Sequence, residues 1–302
     1  MIIVNDLHKA FVRQGKPKFV FNLNFGKRQQ ELVKAVDGVS FTATDGAITG
    51  LLGANGAGKT TTLRMVASLL EPDRGEITVD GIKVRAGQQG TQSNMGILSD
   101  ARGLYPRLTA RENIYYYGTL HGMPPSLIEQ RTEQLAHWLE MTALLDRRTD
   151  GFSQGERMKT ALARALIHDP KNIILDEPTN GLDVVATRAL RDFLRWLRSP
   201  EGGGKCIIFS THIMQEVERL CDQVVIVAQG RNVAKGTVTE LLQQAEEPNF
   251  EDAFVKLAFL NRETNPLINP AIKSANESAN EPANEPANKL AIAPAITDKR
   301  TF

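Results

Sequence analysis

The stretch "AITGLLGANGAGKTTTLRM", Ala47 to Met65, leaves few folds open. Gly53, Gly58, Lys59 and Thr60 stand in G-x-x-x-x-G-K-[ST] register. An apolar run precedes them, and a helical spacing of Leu63, Val66, Ala67 and Leu70 follows. A strand that runs into a glycine-rich loop and then a helix presents backbone amides and a helix N-terminus to an anion. Glycine lets those amides come close to phosphate oxygens. Gly53, Ala54, Asn55, Gly56, Ala57, Gly58, Lys59, Thr60 and Thr61 are therefore expected to wrap the phosphates of a nucleotide. Lys59 would reach the β- and γ-phosphates and the Thr60 hydroxyl would ligate Mg²⁺. The plainer alternative is a glycine-rich turn opening an ordinary helix, and the correct flanking elements count against it.

Further buried-strand patterns lie in "NIILDE" (Asn172 to Glu177), "KCIIFSTH" (Lys205 to His212) and "QVVIVAQG" (Gln223 to Gly230). Helical patterns separate them, as in Leu190, Phe193, Leu194 and Leu197. Such alternation predicts an α/β fold with a largely parallel core sheet. The N-terminal runs "MIIVNDL", "GVSFTAT" and "GEITVDG" fit an antiparallel β region. The window from about 96 to 168 reads as an inserted helical subdomain, and 246–260 as a C-terminal helix after a domain spanning 1–245. From Ser274 the chain repeats "SANESANEPANEPANK" without large apolar side chains. Nothing in that repeat offsets the entropy of ordering, so 261–302 is expected to be a disordered tail.

A net charge of +1 gives no global basic field, so no nucleic-acid partner is expected. Two cysteines, Cys206 and Cys221, are too few for a disulfide framework and suit a reducing compartment. The opening residues "MIIVNDLHKAF" lack a signal-peptide pattern, and apolar runs such as "VVIVA" fall far short of the ~20 residues that span a bilayer.

"IILDEP" places two carboxylates at a strand end. Beside a phosphate loop, Asp176 is expected to hold Mg²⁺ through water and Glu177 to polarise the attacking water as general base. Asp183 in "TNGLD" suits a helix N-cap. His212 ends the strand "IIFST", where it would contact the γ-phosphate; the plainer reading is a structural hydrogen bonder. "GFSQGERMKTALARAL" sets a polar cluster ahead of a buried helix. Ser153 and Glu156 have the spacing of a capping box, and the same cluster would aim a helix N-terminus at an anion.

A phosphate loop, then "FSQGE", "IILDEP", "GLD" and a strand-end histidine, in that order, resembles the nucleotide-binding domain of ABC ATPases from about Met1 to Leu242. The resemblance implies ATP and Mg²⁺ as ligands, and a RecA-like parallel core with an antiparallel region and a helical insertion. It implies that Ser153, Gln154, Gly155 and Glu156 form the signature segment. This segment closes over ATP held by a second subunit, in a homodimer. Asp183 falls in the D-loop. "AVDGVSFTATDGAITGLLGANGAGKTTTLRM", "RGLYPRLTARENI", "FSQGERMKTALARALIHDP", "EPTNGLDVVATRALR" and "STHIMQEVERLCD" look like the sodium-efflux, NatA-type family. That family works with a separate integral-membrane permease, which implies a place at the cytoplasmic face of the cell membrane.

The sequence departs from the family's LSGGQ at Phe152, Gln154 and Glu156. Asp100 stands where the Q-loop glutamine belongs and would still offer an oxygen to Mg²⁺. Phe11 takes the adenine-stacking position, with Phe19, Phe21 and Phe25 competing within a longer 12–35 segment. All four tyrosines, Tyr105, Tyr115, Tyr116 and Tyr117, fall in one window. They would pack the subdomain core or border the groove that receives the permease. The alternatives to sodium are a motor for export of a drug, lipid or polysaccharide, and a soluble ABC ATPase acting on nucleic acid or ribosomes. The second is disfavoured by a single motif set and no sustained heptads.

Overall fold

The computed structural model describes residues 1–14, 30–85, 89–99 and 103–259. The expectation of a disordered tail at 261–302 and the assignments of Asp100, Phe19, Phe21 and Phe25 lie outside the described residues. Met1–Leu260 form one compact unit.

Two sheets carry the fold. The first is antiparallel, in the order β2 (Gln30–Ala43), β1 (Ile2–Gln14), β4 (Arg74–Val79), β5 (Ile82–Lys83). The second holds five parallel strands: β9 (Gln223–Ala228), β3 (Ile48–Leu52), β8 (Cys206–Thr211), β7 (Asn172–Asp176) and β6 (Met95–Leu98), in that order. Strand β10 (Arg231–Gly236) closes its β9 edge in antiparallel pairing. Strands β3 and β8 are buried along their whole length, as a parallel sheet covered on both faces requires.

The two-residue period of the strands divides the core. Ile173, Leu175, Ile207 and Phe209 pack with the helices on one face. Ile174, Ile208, Leu51 and Val225 face the antiparallel sheet and α1 (Lys59–Val66). Beyond the one-turn α2 (Gln89–Gln92), the helical face is built from α3 (Ala110–Leu120), α4 (Pro125–Trp138), α5 (Gln154–Leu166) and α6 (Val184–Arg198). The remaining helices are α7 (Met214–Leu220), α8 (Val238–Ala245) and α9 (Phe250–Ala258).

One stretch differs from the expectation. Gly96–Leu98 belong to strand β6 of the parallel sheet, so the helices of the insertion begin only at Ala110. The C-terminal helix expected at 246–260 contains α9, which packs against the parallel sheet. Phe250, Ala253, Phe254 and Leu257 of α9 join Leu52, Val224 and Ile226 in a third apolar cluster. With side chains at this i, i+3, i+4, i+7 spacing buried, α9 is part of the body.

Candidate nucleotide site

Parallel pairing puts the C-terminal ends of β3, β7 and β8 along one edge of the sheet, where ligands of open α/β sheets bind. Strand β8 lies between the other two, so the loop after β3, the carboxylates after β7 and the histidine after β8 meet there.

The phosphate loop, residues 53–61, runs from β3 into α1. Gly58 is the N-cap of α1, with φ 104° and no side-chain cap. A Cβ at Gly58 would stand 2.4 Å from the Ala35 carbonyl oxygen, so only glycine fits. Ala35 is brought there by a β-bulge: Lys9 pairs with Val36 and Ala10 with Lys34, leaving Ala35 extra. A cleft of about 170 Å³ opens at this point, lined by Ala35, Asn55–Thr61 and Glu177. Lys59 is 5% exposed and donates to the carbonyls of Gly53 at 2.7 Å and Ala54 at 3.2 Å. Its Nζ lies 3.6 Å from Glu177 Oε1.

The carboxylates are fixed by β8. Asp176 and Ser210 are register partners, and the Ser210 hydroxyl donates to Asp176 Oδ1 at 2.5 Å. The same hydroxyl accepts from the Glu177 N–H at 3.1 Å. The Glu177 backbone has φ 48°, a conformation that bulky residues adopt only at a cost. Its side chain meets Asn180 Nδ2 at 2.5 Å and His212 Nδ1 at 3.4 Å, both at Oε2. Burial alone would raise the Glu177 pKa; the Asn180 hydrogen bond, the Lys59 charge and His212 outweigh it and hold the carboxyl below its ordinary value. A cation and an ionised carboxylate are thus paired at the edge of the cleft.

The signature segment is where the capping box stands. Ser153 caps α5, its hydroxyl accepting from Glu156 N–H at 3.2 Å while Ser153 N–H donates to Glu156 Oε2 at 2.8 Å. Arg147 holds the other Glu156 oxygen at 3.0 Å. The Ser153 amide, opposed by partial burial and aided by the Ser153 hydroxyl and Arg147, keeps the Glu156 carboxyl below its ordinary pKa. Ser153 and Gln154 are exposed, whereas Phe152 is buried in the helical core with Arg147 over its ring at 5.3 Å. Asp183 caps α6, accepting from Ala186 N–H at 2.8 Å.

Phe11 lies on the β1–β2 ribbon opposite Val33, 43% exposed, and is not among the described residues lining the cleft. The tyrosines differ in burial. Tyr115 and Tyr117 pack against the core, the latter under Arg164 at 4.5 Å. Tyr105 and Tyr116 are exposed and meet edge to face at 5.4 Å. Three residues of the site escape sequence reasoning: Ala35, Asn180 and Ser210. "IIFSTH" and "PTNGLD" carry Ser210 and Asn180 in plain sight, but only strand pairing and the turn show what they touch.

Comparison with known proteins places the fold in a family. The ABC transporter family matches residues 36–180. The chain is 44% identical over 225 residues to the ABC transporter ATP-binding protein NatA of Bacillus subtilis (strain 168), covering 74% of this chain and 90% of that protein. It is 38% identical over 209 residues to the Nod factor export ATP-binding protein I of Rhizobium sp. (strain N33), covering 69% and 68%. A solved ATP-binding subunit of an ABC transporter superposes with TM-score 0.70 at 28% identity, over 85% of this chain and 98% of that one. The dimeric structure of MJ0796, a bacterial ABC transporter cassette, shares the fold with TM-score 0.66 at 21% identity, over 78% and 98%. The chain therefore belongs to the ATP-binding subunits of ABC transporters, which are ATPases. Within them it is of the NatA type.

Proposed function

We propose that the chain is the motor of an ABC exporter: it hydrolyses ATP in the cleft at Lys59 and Glu177 and drives a separate integral-membrane permease. The observation that carries the reading is the approach of the buried Lys59 ammonium to the Glu177 carboxylate at the N-terminus of α1. The amides of the phosphate loop and Lys59 bind the β- and γ-phosphates. Glu177 accepts a proton from the water that attacks the γ-phosphorus, and the P–O bond to ADP breaks as the new one forms. Lys59 and His212 stabilise the charge spreading over the γ-phosphate oxygens. The Thr60 hydroxyl and the Asp176 carboxylate, whose orientation Ser210 fixes, are oxygen donors that fit Mg²⁺. When bound, Mg²⁺ supplies positive charge to the β- and γ-phosphate oxygens.

Glu177→Gln is expected to keep ATP binding and to slow hydrolysis by about 10²–10⁴-fold, the weight of a general base. Near-normal turnover would sink the assignment. Lys59→Ala is expected to weaken ATP binding itself.

The signature segment acts across a homodimer in this reading. Exposed Ser153 and Gln154, together with Val184 (82% exposed) and Val185 (66% exposed) just after Asp183, support such an interface. A heterodimer of Ser153→Arg and Lys59→Ala subunits then holds one site with both lesions and one with neither. It should recover ATPase activity that neither homodimer shows; no recovery at matched folded concentration would leave only the capping role.

The proposed cargo is sodium, moved outward from the cytoplasmic face of the membrane, and the support is the NatA-type resemblance. The Nod factor export relative keeps a larger organic cargo as the second reading. ATP-driven ²²Na⁺ movement in inverted vesicles carrying this chain and its permease distinguishes them. ATPase activity without sodium movement would favour the organic cargo.

A further inference from the structure

Asn180 stands three residues after Glu177 and is tied to it twice. Its side-chain Nδ2 donates to Glu177 Oε2 at 2.5 Å, and its backbone N–H donates to the Glu177 carbonyl at 3.2 Å. The two Glu177 oxygens are thereby distinguished: Oε2 meets Asn180 and His212, while Oε1 faces Lys59 and the phosphate loop. A glutamate has three side-chain torsions, and an unrestrained carboxylate on the unusual Glu177 backbone would sample several rotamers. A neutral amide donor selects one of them without bringing a charge into the cleft.

The turn that carries Asn180 is itself held from the signature side. Gly181 has φ 82° and lies under Gln154, so close that a Cβ on Gly181 would stand 2.5 Å from Gln154 Cγ. Gln154 is one of the positions where the chain departs from the family's glycine. Its side chain covers the turn next to Asn180.

We propose that Asn180 is a positioning residue for the Glu177 carboxylate, holding Oε2 so that Oε1 stays turned toward the phosphates, with Gln154 bracing the turn. The inference rests on the reading of Glu177 as general base, and its test separates the two. In the full chain, Asn180→Ala is expected to lower kcat about tenfold or more, as loss of a hydrogen bond to a charged group does, with KM for ATP and ATP affinity within twofold. Asn180→Asp keeps the shape but removes the donor and sets a second carboxylate against Glu177; it is expected to lower kcat at least as far. In the Glu177→Gln background, Asn180→Ala is expected to cause no further loss, because the group it positions is no longer a base. Wild-type kcat in Asn180→Ala overturns the inference alone. So does an equal loss in both backgrounds, which would mark a role in holding the turn only. Near-normal turnover of Glu177→Gln by itself overturns the base reading and this inference with it.

Discussion

The close fit of the phosphate loop against the β1–β2 bulge is open to a paired test at Gly56 and Gly58. Both have positive φ, 80° and 104°, but their surroundings differ. A Cβ at Gly56 meets nothing within 4 Å. At Gly58 it would stand 2.4 Å from Ala35 O and 3.3 Å from Gly230 Cα. Gly56→Ala therefore carries only the left-handed backbone cost, about 1–2 kcal/mol, less about 0.4–1 kcal/mol from the stiffer unfolded chain. Gly58→Ala carries those terms and an overlap that the surroundings cannot readily relieve. Gly230 N–H bonds Ala57 O at 2.8 Å, tying the loop to the β9–β10 turn, and Ala35 is pinned between paired residues. Overpacking of this kind costs a further ~1–3 kcal/mol. For a body of this size the difference amounts to roughly 5 °C in Tm. Calorimetry of both variants without nucleotide reads the stability difference, and the rise in Tm on adding ATP reads the binding loss, which should also be larger for Gly58→Ala. Equal melting temperatures would show that the bulge yields freely and that Gly58 is present for its φ alone.

Three further outcomes follow from the packing. Burial, with a smaller contribution from the stacked His121, pushes the His168 imidazole down to about 4 from its ordinary 6.5. Protons then bind the unfolded chain first, so this contribution to stability is whole above pH 6.5 and lost as the pH falls toward 4, by up to about 3 kcal/mol. His168→Gln is expected to flatten that limb of Tm against pH, and an unchanged slope would refute the assignment. Ser153→Ala removes a cap and should cost about 1 kcal/mol in denaturant unfolding. Phe250→Ala, at a side chain 1% exposed, should cost about 3–5 kcal/mol if α9 belongs to the body, while Val255→Ala on its exposed side should cost little.

What was legible in the sequence is what short-range chemistry dictates. The phosphate loop is visible because glycine spacing and a strand-to-helix change occur within twenty residues. Strands β7, β8 and β9 are visible because burial on both faces leaves uninterrupted apolar runs. Strand β6 has only four residues, "MGIL", too few to show any period, and a long helical stretch follows it. Ala35 is illegible for another reason. Its place depends on which residue a bulge leaves unpaired, and that is set by the distant pairing of Lys9 with Val36 and of Ala10 with Lys34. Asn180 reads as a turn residue because turns favour asparagine; only the φ of Glu177 and the fold of the turn reveal that its amide returns to the carboxylate.

Under the proposed reading of the signature segment, the cap and an anion-facing helix end do not compete. A glutamate where the family has glutamine sets negative charge at the end of α5 that, in this reading, receives a phosphate. In the structure both of its oxygens are engaged, one by Ser153 N–H and the other by Arg147. The carboxylate therefore turns back along its own helix, and the guanidinium balances its charge. Under the proposed reading this leaves exposed Ser153 and Gln154 at the tip, on a helix end whose geometry the box has fixed. In that reading a free carboxylate at Glu156 would oppose ATP; one bound on both sides does so much less, and it rigidifies the helix end proposed to meet the nucleotide. Under the proposed reading, the helix cap is the condition under which a glutamate is compatible with closure on ATP.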